Sequence, residues 1–257
     1  MVPAQSQTSF EMDSPCVFVV GLKPFFVPSF EFLMSSILRL EPISLQELPD
    51  MQALLAEAKQ LIQDIENWVE GKTYHGVRTH KKAVTGPSWH SRTSVHKPDD
   101  GTFDEFWNCL GVNHSLNEKE YVPEVRSARL LGSFGGFEAW TMGYKFTPPI
   151  SDRTFTILIT CILEEQPSRQ GFIISLPLDV STDQALTAQE PQGVRGRYVS
   201  VERVREIDNK VEWIMATRSA PGGLIPSFLS EPSMPSKISE DVPHVVEWIK
   251  TKRTSSG

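Results

Sequence analysis

The 257-residue sequence predicts an α+β fold in which an antiparallel sheet grips a C-terminal helix and leaves a cavity between them. Three observations predict it. Val194–Ile207 and Val211–Ser219 are strand-like runs on either side of Asp208-Asn209, a turn pair. Gly222-Gly223 and then Pro226 break the chain after the second run. Val242, Val245, Val246 and Ile249 recur at helical spacing within 239–252. The combination suits capture of a hydrophobic small molecule.

The other elements follow in chain order. Residues 1–43 show no clear period and read as an N-terminal extension; 44–257 read as the ligand-binding domain. Within 16–38 an apolar run is interrupted by Lys23, Pro24, Pro28 and Glu31, which disfavours a spanning helix. After the start signal Pro49-Asp50, apolar residues from Met51 to Trp68 and Val69 repeat at helical spacing up to Gly71. Strands are expected over Tyr74–Val84 and Trp89–His96, then short helices over Phe103–Leu110 and Asn113–Tyr121, split by Gly111. Arg126–Leu131, Phe137–Phe146, Arg153–Leu163 and Gly171–Leu176 read as strands, and 179–192 as a loop. Pro243 is tolerated only in a first helical turn, so the last helix is expected to begin near Ser239 to Asp241.

Charge and cysteines narrow the function. A net charge of −7 argues against general nucleic-acid binding, which needs a basic surface. It also disfavours docking on anionic membranes by charge. His80-Lys81-Lys82 is a small local basic patch. Cys16, Cys109 and Cys161 are odd in number and far apart, as in a reducing cytoplasmic protein without a disulfide framework. No secretory signal is visible at the N-terminus. His75, His80, His90, His96 and His114 are concentrated, but lack the spacing and carboxylates of a zinc signature. Gly132-Ser133-Phe134-Gly135-Gly136 reads as a turn, since no helix follows to cradle phosphate. No cofactor is expected.

The segments WHSRTSVH (89–96), FDEFWNCLGVNHSLNEKEYVPEV (103–125), SDRTFTILI (151–159), VRGRYVSVERV (194–204), VEWIMATRSAPGGLIPSF (211–228) and ISEDVPHVVEWI (238–249), taken in order, resemble a family. They are similar to the START-like (StAR-related lipid-transfer-like) helix-grip superfamily, and more closely to its fungal branch known only as a domain of unknown function. The resemblance covers roughly 44–253. It implies a curved antiparallel sheet around the last helix, with a deep apolar cavity that binds a ligand. Related folds include carriers and polyketide aromatase/cyclases, so fold alone does not choose between carriage and catalysis.

Strand alternation sorts the candidate site residues. His90, Arg92, Ser94 and His96 share one face, either solvated or lining the cavity as a polar strip. Tyr198, Ser200 and Glu202 share another. If that face is inward, Glu202 needs a partner, with Arg92 and Arg153 as candidates, or serves as a general base. Val211, Trp213, Met215 and Thr217 read as a wall, of the core or of the cavity. Glu138, Trp140, Met142, Tyr144 and Phe146 share a further face, on which the Tyr144 hydroxyl either orients a ligand, acts as a weak acid or simply packs. His114 reads as a capping or packing residue. Gly222-Gly223 is either a gate over the cavity or an ordinary connection.

Two functions remain open. In the first, the domain binds a lipid, sterol, polyketide or terpenoid, with Arg92, His96, Trp140, Met142, Tyr198, Trp213, Met215 and Thr217 as ligand-binding residues. In the second, it is a cofactor-free cyclase, isomerase or dehydratase of fungal specialised metabolism, with Glu202, His90 and Tyr144 as its acid–base groups. Neither requires a metal, a nucleic-acid partner or stable membrane insertion.

Overall fold

A computed structural model describes residues 36–146, 148, 150–223 and 231–255. Cys16, most of the interrupted run 16–38, and Pro226 lie outside the described residues.

Helix α1, Met51–Asp64, begins where the Asp50 carboxylate accepts from the Ala53 N–H at 2.8 Å. Such a cap contributes about 1 kcal/mol. The helix ends at Asp64 rather than near Gly71. There the Asp64 carboxylate accepts from the Trp68 indole at 3.0 Å, and a 3-10 turn over Ile65–Asn67 redirects the chain. Val69, an expected core position, is instead 74% exposed in a short strand β1, Val69–Glu70.

Strands β2 (Arg78–Lys82) and β3 (Trp89–His96) precede helices α2 (Phe103–Leu110) and α3 (His114–Tyr121). A capping box between Thr102 and Glu105 starts α2. Strands β4 (Val125–Phe134) and β5 (Phe137–Tyr144) are joined at Gly135-Gly136, with φ 56° and 88°, so the glycine cluster is a turn. Strands β6 (Arg153–Glu164) and β7 (Gln170–Pro177) follow. The expected loop after them contains a short helix α4, Gln184–Thr187.

The single strand expected over Val194–Ile207 is two. Strand β8 (Val194–Arg195) pairs in parallel with β6, and β9 (Arg197–Ile207) continues after Gly196. A Cβ at Gly196 would lie 2.5 Å from the Phe155 ring, so the chain passes where no side chain fits. Asp208 and Asn209, at φ 48° and 59°, make a two-residue turn of the kind whose twist matches a hairpin, leading into β10 (Lys210–Ala220). The last helix, α5, spans Met234–Ser255. Pro243 therefore sits inside it rather than in its first turn. Having no N–H, it leaves the Ser239 carbonyl without the usual helical partner.

The sheet runs β1-β2-β3-β10-β9-β7-β6-β5-β4, antiparallel between neighbours, and is open and curved. Its two faces pack separately. On the outer face, Leu54, Leu55, Ala58 and Ile62 of α1 cluster with Val199, Val201, Ile214 and Ala216. Leu38, Leu40 and Ile43 join this core, and Ile43 bridges Leu178. On the inner face, Phe103 and Phe106 of α2 and Val242, Val245 and Ile249 of α5 pack against Ile157, Ile173, Val204 and Trp213.

Candidate ligand cavity

Between the inner face of the sheet, α3 and the first half of α5 lies a cavity of about 250 Å³. The sheet contributes Phe155, Tyr198, Trp213 and Met215, and a row of hydroxyls from Ser175, Ser200 and Thr217 on neighbouring strands. Helix α3 presents His114, Glu118 and Tyr121, and α5 presents Lys237, Asp241 and His244. Both sets have i, i+4, i+7 spacing, which places each on one helical face.

Strand register assembles the charged centre. Met215 stands opposite Arg92 on β3 and opposite Glu202 on β9. Arg92 and Glu202 therefore flank it, with Nη2 and Oε2 3.5 Å apart. The Trp213 indole donates to the same Glu202 oxygen at 2.8 Å. The Arg92 guanidinium carbon lies 3.7 Å from the Trp213 ring centroid, and its Nη2 is 4.0 Å from Asp241. Arg92 is 1% exposed, and its Nε and Nη1 have no hydrogen-bond partner among the described residues. Arg153 does not join this centre: its Nε donates to the Pro221 carbonyl at 2.7 Å.

A second polar group lines the same cavity. The Tyr144 hydroxyl donates to Glu118, whose other oxygen is 3.7 Å from His114 Nε2. His114 Nδ1 is 2.6 Å from the Leu110 carbonyl; a carbonyl only accepts, so Nδ1 carries the hydrogen.

Burial dominates the acid–base character of these groups. Asp241 is pushed up to about 7, mainly by burial and also by Glu118, Glu202 and Glu124, against the pull of Arg92. Its side chain keeps 30% accessibility and lines the cavity wall. Burial also raises Glu118, against His114 and the Tyr144 hydrogen bond, and lifts the phenols of Tyr121, Tyr144 and Tyr198 well above their ordinary value.

Of the candidates read from the sequence, Glu202, Tyr144, Arg92, Tyr198, Trp213, Met215 and Thr217 line the cavity, and four others stand outside its walls. His90 is buried beyond Thr217, with neither ring nitrogen hydrogen-bonded among the described residues. His96 shares a 2.8 Å hydrogen bond with Ser94, packs on Phe106, and is lowered to about 4 by burial. Trp140 lies in the inner core, its indole donating to Glu138. Met142 is fully buried. Alternation selects a face of a strand but not the stretch of it that meets a cavity. Glu118, Tyr121, Lys237, Asp241 and His244 were not among the candidates. The i, i+4, i+7 spacing on α3 and α5 was the available signal.

Among the described residues, no three His, Cys, Asp or Glu side chains group as metal ligands. No helix among them is long and apolar enough to cross a membrane.

Comparison with known proteins places this architecture. A family model matches residues 89–249, from the first residue of β3 into α5. The chain belongs to the DUF3074 family. That family's description is a protein of unknown function. No curated protein sequence matches the chain. Among solved structures, this member of the family is similar to human StAR-related lipid transfer protein 5, with TM-score 0.66 and 14% identity over 79% of this chain and 95% of that one. It is similar to human STARD10, with TM-score 0.65 and 11% identity over 85% and 87%. The human StarD13 (DLC2) lipid transfer and protein localization domain gives TM-score 0.58 and 13% identity over 78% and 98%. The DUF3074 chain thus has the START helix-grip fold.

Proposed function

We propose that the chain binds a hydrophobic small molecule (a lipid, sterol, polyketide or terpenoid) in the cavity between sheet and α5. The observation that carries this reading is the cavity itself, with aromatic walls and a few converging polar groups, the usual make-up of a ligand site. Its fold likeness to lipid transfer domains supports the same reading. At about 250 Å³ it lies just below the usual range of roughly 300–1,000 Å³ and suits a compact guest. The free thiols of Cys109 and Cys161 accord with a cytoplasmic carrier.

Native mass spectrometry of the purified protein, incubated with mixed sterols, terpenoids and lipids, tests this. A bound mass released by organic solvent is expected. Bare protein after every mixture overturns the reading.

A second reading is a cofactor-free cyclase, isomerase or dehydratase of specialised metabolism. It is favoured by Asp241, raised to about 7, lining the same cavity as the Tyr144–Glu118 pair: an acid or base poised near neutrality is what such reactions use. Recovery of every candidate guest unchanged after prolonged incubation overturns it.

A further inference from the structure

The cavity's charges restrict what its guest can be. Among the described residues, five carboxyl groups line it: Glu118, Glu124, Glu202, Glu240 and Asp241. Among the described residues only two side chains there are fixed cations, Lys237 and Arg92, and both are engaged. Lys237 is held by Glu240 at 2.9 Å. Arg92 is shared between Glu202 and Asp241, stacked on Trp213, and its Nε and Nη1 have essentially no accessible surface. It has no exposed fork for an incoming carboxylate or phosphate. His114 spends Nδ1 on the Leu110 carbonyl and turns Nε2 to Glu118; His244, from α5, is the other imidazole on the walls among the described residues.

Acceptors, by contrast, are in surplus. The Glu202 side chain is 9% accessible, and its Oε1 has no hydrogen-bond partner among the described residues. Asp241 accepts no hydrogen bond among them; its one close cation is Arg92 at 4.0 Å. Buried acceptors without donors are costly, so a guest that brings donors is favoured over one that brings more acceptors. An anionic headgroup would meet like charges in a site with little water to screen them.

We propose that the guest carries a protonated amine on an apolar body, the ammonium seated between Glu202, Asp241 and Glu118 and the apolar part against Phe155, Met215 and Trp213. This inference rests on the apolar-binding reading and assigns the chemistry of the guest's polar end. The ammonium offers three donors and a positive charge to carboxylates that stand on β9, α5 and α3 and line the same cavity.

Calorimetric titration of the full chain at pH 7.5 with octylamine, 1-octanol and octanoate tests the inference, because the three share one apolar chain. Octylamine is expected to bind at least tenfold more tightly than 1-octanol, with octanoate weakest. In Asp241→Asn the amine-over-alcohol preference is expected to shrink severalfold. Equal or tighter binding of 1-octanol or octanoate overturns the amine assignment and leaves the apolar-binding reading standing. Failure of all three to give heat or to alter tryptophan fluorescence overturns both. The wild-type series decides the matter even if Asp241→Asn does not fold.

Discussion

The guanidinium of Arg92 lies 3.7 Å over the ring of Trp213. That indole donates to Glu202, the carboxylate that faces the same guanidinium. Cation, ring and anion thus form a closed set at the floor of the cavity. Removing the cation alone leaves Glu202 buried without charge compensation. Arg92→Leu is expected to lower stability by about 3–5 kcal/mol, and Arg92→Leu with Glu202→Leu to recover most of the loss. Urea unfolding of the two single variants and the double variant checks this, and additive losses would contradict it.

Asp241 predicts a pH dependence. Its folded value of about 7 lies above the ordinary 3.8, so the folded state holds the proton more tightly than the unfolded chain. The stabilisation this gives is complete below about pH 4 and is lost as pH rises through about 7. At its steepest the loss is about 1.4 kcal/mol per pH unit. Glu118, also raised, acts with the same sign. The difference between wild-type and Asp241→Asn stability should therefore slope between pH 4 and 7. A flat difference profile from urea melts at several pH values would count against the assignment.

Thr217 lines the cavity from β10, its hydroxyl donating to the Val199 carbonyl at 3.0 Å. Thr217→Trp places an indole in the space offered to a guest. Loss of ligand uptake by at least tenfold is expected, read as disappearance of the bound mass in native spectra, while the far-ultraviolet circular dichroism is retained.

Gly222 has φ 68°, and a Cβ there would lie 2.1 Å from the Arg195 carbonyl oxygen. The glycine pair read as a gate or a connection is at this point pressed against β8. Gly222→Ala must either move β8 or unwind the turn, and should cost more than about 1 kcal/mol. Thermal denaturation measures the loss, and hydrogen exchange at Val194 and Arg195 should show it locally.

Long-range order was legible wherever local chemistry and packing agreed. Trp89–His96 and Phe103–Leu110 were read to the residue, because turn or capping signals bound them on both sides. Misreadings arose where a tertiary contact intervened. Gly196 breaks a run of good strand formers only because Phe155 occupies the space beside it. Pro243 lies mid-helix because packing of Val242 and Val245 outweighs one missing hydrogen bond. The strand walls of the site were half-visible through alternation. Its helical wall was missed because Glu118 and Asp241 look like solvated charges until the sheet is placed beneath them.

The two-residue turn at Asp208-Asn209 has a consequence far from itself. It sets which residues of β9 and β10 stand opposite one another, and so which face each presents. A slip of one residue along β9 would send Glu202 to the outer face and bring Arg203 inward beside Arg92. It would also strip Arg203 and Arg205 of their shared acceptor, Glu212, at 2.6 and 3.0 Å. Mispaired sheets would then confront two buried cations on one side and an orphaned acid on the other. The alternation of acid and base along this strand thus proofreads the hairpin, penalising the nearest wrong assembly as well as rewarding the right one.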